Sequence, residues 1–299
     1  MHRYIEYKIT PEYNGTKVEH FLRAHSYSKQ NIVDLKKIDD GVFKNGVFSK
    51  MNEIVKEGDV LRIHITDFES SEHVIPVELP LDIVYEDEDI IVVNKPAHMP
   101  THPSMSNYDN SLANALSFYF ASKGEDFVFR CTNRLDRDTS GLTVVAKHFV
   151  SGNILSTMGS KKEIKREYLA IVEGNVSPEE GTIDAPISRE EGSVIRRTID
   201  FENGERAVTQ YKVIEHYPAH SLVALRLETG RTHQIRVHMK HLGFPLIGDY
   251  LYNPEMTYME RQALHSHKLS FTHPMTGEAL EFTAEMPADM QSAIDRISS

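Results

Sequence analysis

The sequence predicts an α+β protein in which a small α+β domain precedes a larger β-rich domain with a mixed, mostly antiparallel sheet. Short β-rich segments dominate the chain from residue 81 onward and do not alternate regularly with helices, which argues against a doubly wound parallel sheet. A polar stretch with Pro76 and Pro80 separates this part from a shorter N-terminal part. We therefore expect domains at residues 1–67 and 81–299, joined by a linker at residues 68–80.

Two helical segments and two glycine turns predict the N-terminal domain. Residues 17–22 have helical spacing, and Ser28 is placed to cap a second helix. The pair Asn45-Gly46 favours the tight turn of a β-hairpin, and Gly58-Asp59 predicts a turn into a strand over residues 60–65. The pattern therefore predicts two helices followed by a small sheet.

Apolar runs and their periodicity place the elements of the larger domain. β-rich runs alternate with polar turns, and two stretches have the 3.6-residue period of helices. Strands are expected at residues 90–93, 142–146, 168–172, 210–214 and 222–227, and helices at residues 112–120 and 150–158. Strands outnumber helices, as the fold class requires.

The composition is that of a globular protein without a membrane segment. The chain has 299 residues, 40% hydrophobic and 26% charged, and no stretch approaches the roughly 18 consecutive apolar residues of a membrane span. The first residues lack the apolar core of a signal peptide, so export is not expected. Cys131 is the only cysteine, which rules out an intrachain disulfide and fits a reducing compartment. We therefore expect a cytoplasmic protein in which Cys131 is a small buried residue rather than a nucleophile.

The net charge of −11 argues at first against a nucleic-acid partner. The charge is unevenly distributed, however: residues 1–67 carry 11 Lys and Arg against 10 Asp and Glu, and the remainder carries 22 against 34. Basic clusters persist at residues 161–166, 196–197 and 231–240. Because binding of a polyanion depends on the local field, the total charge does not exclude RNA.

The segment Asn133 to Leu142, NRLDRDTSGL, carries the strongest indication of chemistry. Asp136 lies between Arg134 and Arg137, and nearby positive charge favours the ionised carboxylate. An ionised carboxylate on a turn that leads into a strand is suited to act as a nucleophile or base. The alternative is a structural ion pair, and the local sequence alone favours that alternative.

Four segments, in order, resemble the RluA family of RNA pseudouridine synthases. NRLDRDTSGL resembles the family's catalytic signature HRLDRDTSGL, and Asn94-Lys95-Pro96 resembles its NKP motif. Arg166 to Ala170 resembles its basic-x-Tyr motif, and the longest match runs from Leu227 to Asp249. Together the matches cover residues 81–282. The N-terminal helices and turns resemble the alpha-L RNA-binding motif of ribosomal protein S-four type.

The resemblance implies an isomerase that converts particular uridines of RNA to pseudouridine, with an active-site cleft across an extended β-sheet. The reaction detaches uracil from its ribose and reattaches it through carbon, so no redox cofactor, ATP or metal is expected. Ribosomal RNA is the expected substrate class and transfer RNA the alternative; a monomer without membrane contact is expected. The rival interpretation is a non-catalytic RNA-binding protein that serves ribosome assembly.

The resemblance also assigns roles to site residues. Asp136 is the catalytic residue, and Tyr168 stacks on the target base, which needs an aromatic face once it leaves its helix. Arg231 is expected to hold Asp136 by a bidentate contact. Position alone would instead make Tyr168 a core residue. The residues expected to contact substrate RNA are Lys95, His102, Arg134, Arg137, Arg166, His233 and Arg236, and Arg137 matches the arginine that fills the gap left by a flipped nucleotide.

Three histidines between residues 233 and 241 raise the alternative of a zinc site. Their spacings of five and three do not form one helical face, and no Cys or carboxylate completes a familiar ligand set, so no metal is expected. The chain departs from the family pattern with Asn133 for His, Arg166 for Lys and His98 for Gly. We expect these changes to affect the substrate rather than the reaction.

Overall fold

The computed structural model describes residues 2–66, 71, 74–104 and 107–298. Its N-terminal part is an antiparallel sheet that shares one hydrophobic core with two helices. The elements are β1 (His2–Lys8), a 3-10 turn (Pro11–Tyr13), α1 (Val18–Ala24), α2 (Lys29–Leu35), β2 (Val42–Lys44), β3 (Val47–Phe48) and β4 (Val60–Thr66). The strand order is β1-β4-β2-β3.

Local sequence signals explain most of this N-terminal part. Ser28 caps α2 in a capping box with Asn31, and Asn45 and Gly46 have φ angles of 51° and 80° in the hairpin between β2 and β3. Gly58 has a φ of 84° in the turn before β4, where a side chain would be strained. These predictions are confirmed. The sequence reading missed β1, which pairs with the distant β4.

The remainder of the described chain forms a ten-stranded sheet and a two-stranded ribbon. Its helices are α3 (Leu112–Ser122), α4 (Phe149–Ser160), α5 (Gln234–His241) and α6 (Ala288–Ile297). Its strands are β5 (Ile83–Glu86), β6 (Ile90–Lys95), β7 (Arg130–Cys131), β8 (Ser140–Ala146), β9 (Lys165–Glu173), β10 (Glu180–Asp184), β11 (Ile187–Arg189), β12 (Arg197–Ile199), β13 (Val208–His216), β14 (His220–Leu227), β15 (Leu264–Thr272) and β16 (Ala279–Thr283). All strands and helices predicted for this part are present.

The large sheet is mixed and mostly antiparallel, which confirms the predicted fold class. Its order is β10-β13-β14-β9-β15-β8-β6-β5, with β16 on β15 and β7 on β8, and β8 and β15 are its parallel pair. The ribbon consists of β11 and β12. Strand β8 is buried along its whole length. Helix α3 packs on one face of β6 and β8 and α4 on the other, which fixes the loop before β8.

The N-terminal part packs against α4. Val150 belongs to the N-terminal hydrophobic core, and Asn153 donates hydrogen bonds from Nδ2 to Asn31 Oδ1 at 2.6 Å and to Ser26 O at 3.3 Å. Arg3 of β1 pairs with Asp89 at 3.2 Å. In the predicted linker, residues 68–70 and 72–73 lie outside the described residues, and residues 71 and 74–80 form neither helix nor strand. The domain boundaries stay a prediction.

The six helices that the structure describes are short or polar. None of them combines the length and apolar character that a bilayer-spanning helix requires.

Candidate active site

Nine of the ten predicted site residues line one cavity of about 650 Å³ beside the central strands β9 and β15 of the large sheet. The loop before β8, the start of β9 and the segment that leads into α5 form its walls. The site residues in its lining are His102, Arg134, Asp136, Arg137, Arg166, Tyr168, Arg231, His233 and Arg236. The fold therefore brings together residues that lie up to 134 positions apart in the sequence.

Asp136 lies in the loop between β7 and β8, with its side chain 27% exposed toward the cavity. Arg236 of α5 donates from Nη1 to Asp136 Oδ2 at 3.1 Å. Arg236 is itself held by Asp249, which accepts from Nε and Nη2 at 2.7 Å each and is fully buried. Burial acts to lower the pKa of Arg236, but Asp249 and Asp136 raise it overall, so the guanidinium stays charged beside Asp136.

The predicted partner of Asp136 is wrong. Arg231 instead pairs with Glu205 and donates from Nε to Arg206 O at 3.2 Å. The reason is its position before α5, where its backbone N–H is capped by Gln234 Oε1 at 3.0 Å and its side chain runs along the cavity rim. Arg236 lies inside the helix and points at the loop that carries Asp136.

Arg134 and Arg137, which flank Asp136 in the sequence, are not the arginines that contact it in the structure. Arg137 forms a bidentate pair with Asp138, with Nη2 at 2.8 Å and Nε at 3.0 Å, and Arg134 is exposed at the rim. Burial acts to raise the pKa of Asp138, but Arg137 and His98 lower it overall. Successive side chains of a turn point in different directions, so neighbours in sequence need not be neighbours in space.

Lys95 does not contact the cavity, contrary to its predicted role in RNA binding. It is fully buried, and its Nζ donates to the carbonyl oxygens of Pro96, Met99 and Arg137 at 2.8, 2.7 and 3.2 Å. Burial lowers the pKa of Lys95 to about 7, opposed by the charges of Asp136 and Asp138. A side chain that binds three backbone carbonyls cannot also reach a phosphate, so Lys95 fixes the loops that carry Asp136.

Tyr168 combines a core position with access to the cavity. It lies on β9 between β14 and β15, packs with Leu135 and Ile235, and is 5% exposed. Burial raises the pKa of its phenol. The phenol therefore stays protonated at neutral pH, and the ring is rigidly held.

Two of the three histidines near α5, His233 and His238, have separate environments. His233 begins the helix with a φ of 58°, contacts Tyr252 Oη from Nδ1 at 2.9 Å and lies 3.9 Å from Asp136. Burial lowers the pKa of His233, which favours its neutral form. His238 is buried, with its ring nitrogens 2.8 Å from Thr209 Oγ1 and 2.9 Å from Ala185 O.

Among the described residues, the cluster with a metal-ligand arrangement lies elsewhere. It consists of Asp87, Asp89 and His273, which already have protein partners.

Two departures from the family pattern have structural explanations. Asn133 accepts from Val144 N at 2.9 Å and donates to Leu142 O at 3.2 Å, which ties the Asp136 loop to β8 and confirms that Asn can still hydrogen-bond there. His98 has a φ of 62°, the conformation that favours glycine, and its Nδ1 lies 3.0 Å from Asp138 Oδ1.

The cavity is rich in arginine although the chain is acidic. Six arginines and one carboxylate, Asp136, lie among the described residues that line it, and three of these arginines are paired with carboxylates outside the lining, Asp138, Glu205 and Asp249. The sixth arginine is Arg197 of β12, which the sequence reading did not single out as a site residue. Asp249 and Asp138 were also missed, because a supporting carboxylate is recognisable only from its contacts. A site with this field suits a polyanion with a reacting group close to Asp136.

Comparisons with known proteins agree with this geometry. The family model described as RNA pseudouridylate synthase matches residues 89–241, about half of the chain. A Bacillus subtilis protein described as uncharacterized RNA pseudouridine synthase YjbO is 42% identical over 93% of this chain and 98% of its own length. The ribosomal large subunit pseudouridine synthase D of Escherichia coli K12 is 38% identical over 86% of this chain and 83% of its own length.

Solved structures show the same fold. Human RNA pseudouridylate synthase domain containing 1 superposes with a TM-score of 0.58 at 29% identity, over 69% of this chain and 83% of the human chain. Human RNA pseudouridylate synthase domain containing 4 superposes with a TM-score of 0.60 at 22% identity, over 72% of this chain and 92% of the human chain. The chain therefore belongs to the RluA family of RNA pseudouridine synthases, the isomerases that convert uridine to pseudouridine in RNA.

Proposed function

We propose that this enzyme modifies uridines of large-subunit ribosomal RNA in the cytoplasm and that Asp136 is its catalytic carboxylate. The name of the Escherichia coli relative, a ribosomal large subunit enzyme, supports the substrate class. The arginine-lined cavity supports binding of an RNA backbone.

The observation that carries the catalytic proposal is the chain of contacts from Asp249 through Arg236 to Asp136. Asp249 orients the guanidinium by two bonds of 2.7 Å, and Arg236 then fixes one carboxylate oxygen of Asp136 at 3.1 Å. The carboxylate is thereby held in one orientation with its exposed side toward the cavity. In pseudouridine formation the N1–C1′ bond breaks, a C5–C1′ bond forms, C5 loses a proton and N1 gains one. Asp136 acts as the nucleophile or base of this sequence.

Tyr168 supplies the aromatic face for the loosened uracil. A phenol whose pKa is raised by burial is a poor proton acceptor at neutral pH, so its contribution is stacking and positioning. Stacking on an aromatic ring offsets part of the few kcal/mol that a base loses on leaving its helix. Arg137, held by Asp138 at the rim, is placed to occupy the space that the flipped nucleotide leaves.

The N-terminal part, residues 1–67, is proposed to be an RNA-binding domain of the alpha-L type. Its two helices and the three strands that follow them match the predicted pattern. It packs on α4, so RNA held by this domain would lie beside the catalytic sheet.

Purified enzyme and unmodified transcripts test the proposal. The enzyme is incubated with transcribed large-subunit ribosomal RNA or with transcribed transfer RNAs, and pseudouridines are then mapped in both. We expect one or a few modified uridines in the ribosomal transcript and none in the transfer RNAs. Modification confined to transfer RNA would overturn the substrate class.

A further inference from the structure

A second groove of about 520 Å³ opens from the active-site cavity along α4. The two spaces share wall residues, among them Thr132, Arg166 and Gly230, so they form one continuous depression. The guanidinium of Arg166 lies over Gly230, where a Cβ would come within 3.3 Å of Nη1. Arg166 is thus the boundary between the cavity and the groove.

The boundary carries two polar atoms that lack a hydrogen-bond partner among the described residues. They are Arg166 Nε and Thr132 Oγ1, and both are shielded from solvent. A buried donor without a partner is costly, so a polar ligand that rearranged Arg166 and bonded its Nε would relieve this cost.

The groove itself has the surface that an RNA backbone requires. Its charged residues among those described are Arg130 and Arg166, without a carboxylate. The α4 wall presents the exposed Ser156 and Ser160, whose small size lets a backbone approach closely. Gly152 admits Arg130, whose Cδ would lie 3.1 Å from a Cβ at that position. The groove is therefore cationic, polar and open to a chain of phosphates.

The far end of the groove meets the N-terminal part. Asn153 lines the groove and is hydrogen-bonded to Asn31 and to the carbonyl of Ser26. The groove thus runs from the reacting carboxylate to the proposed RNA-binding domain.

We propose that this α4 groove binds the single-stranded RNA segment that flanks the target uridine, and thereby links the N-terminal domain to the active site. The inference rests on the proposed function, because it assumes that the cavity holds a uridine of RNA. It adds a binding surface on α4, which lies outside the catalytic motifs.

Charge substitutions at Ser156 test the groove, with its neighbour Thr157 as the matched control. Both residues are exposed on α4, but only Ser156 lines the groove. The probe is a fluorescent single-stranded oligouridine of about 16 nucleotides, and its Kd is measured at fixed salt concentration. We expect Ser156→Glu to raise the Kd about tenfold and Ser156→Lys to lower it about threefold. The corresponding Thr157→Glu and Thr157→Lys variants should bind as the wild type does.

The direction in which each Ser156 substitution changes the Kd decides whether the proposal holds. Equal weakening by both Ser156 substitutions would indicate damage to α4 rather than a charge effect and would overturn the proposal, as would equal Kd values for all variants. This binding assay needs no turnover. Absence of pseudouridine formation by the wild type would therefore overturn the proposed substrate, whereas a Kd insensitive to charge at Ser156 would overturn the groove alone.

Discussion

Two carboxylates in this molecule, Asp136 and Asp89, have partners of the same kind but different surroundings. Each lies beside one arginine and one histidine. The side chain of Asp136 is 27% exposed and faces a cavity, whereas that of Asp89 is 5% exposed and lies between the N-terminal part and the large sheet. Access to a cavity, rather than the set of partners, separates a reactive carboxylate from a structural one.

The partners of Asp89 explain why it has no room for a substrate. Arg3 Nε and His148 Nε2 both contact its Oδ1, at 3.2 and 2.9 Å. Burial acts to raise the pKa of Asp89, but His148 and Arg3 lower it overall, so the carboxylate is ionised. Its contact with Arg3 joins β1 to the large sheet.

Substitutions of Arg236, within α5, and of Arg231, just before it, are expected to have the largest effects. We expect Arg236→Lys to lower kcat about 100-fold, because a single ammonium cannot hold Asp249 and Asp136 together. Arg231→Lys should change kcat less than about threefold and mainly raise KM, since Arg231 lies at the rim. Steady-state kinetics on the ribosomal transcript measure both. Equal losses of kcat would contradict the assignment of Arg236 as the partner.

Asp249 is expected to affect catalysis only by positioning Arg236. Asp249→Asn is expected to lower kcat about tenfold without changing the Kd for RNA, because a looser guanidinium positions Asp136 less well. Asp289→Asn is the matched control, since Asp289 holds the buried Arg261 in the same bidentate way, at 2.6 and 2.9 Å, outside the cavity lining. Single-turnover rates measure the effect, and a rate loss as large for Asp289→Asn would refute a specific role of Asp249.

Asp89→Asn should affect stability and leave chemistry intact. Removing the charge that Arg3 and His148 share is expected to lower the free energy of unfolding by about 2 kcal/mol. Urea unfolding measures this loss, and the single-turnover rate of the folded variant should equal that of the wild type. A rate loss without a stability loss would reverse the roles given to the two carboxylates.

The smallest expected effect is the change with pH in the free energy of unfolding that Asp89 contributes. Because the folded pKa of Asp89 is lowered below 3.8, its contribution is present above that pH and is lost as the pH falls through the folded pKa. The stability difference between wild type and Asp89→Asn should therefore be constant from pH 8 to about pH 5 and shrink below roughly pH 4. Urea unfolding across this range checks it, and a difference that grew on acidification would be inconsistent with the lowered pKa.

The fold was predictable wherever its signals are local. The Ser28 cap and the Asn45-Gly46 turn act over two or three residues and were read correctly. Strand β1 was missed because its partner β4 lies more than 50 residues away and its pattern alone is weak.

The members of the site were predictable by motif, but their contacts were not. Asp136 and Tyr168 line the cavity as expected. Lys95 is fully buried, and the arginine that contacts Asp136 is Arg236, 100 residues away, rather than the predicted Arg231. Which side chain of a motif points inward depends on tertiary packing, and tertiary packing cannot be deduced from a single sequence.

The most direct test of the central claim is the single-turnover rate of Asp136→Asn on transcribed large-subunit ribosomal RNA, with Asp89→Asn as the buried-carboxylate control. Asn keeps the size of the side chain and removes its charge and nucleophilicity. We expect Asp136→Asn to lose at least about 10³-fold in rate while its Kd for the transcript and its unfolding midpoint stay near those of the wild type. A rate for Asp136→Asn within a few-fold of wild type would contradict the assignment of Asp136 as the catalytic carboxylate.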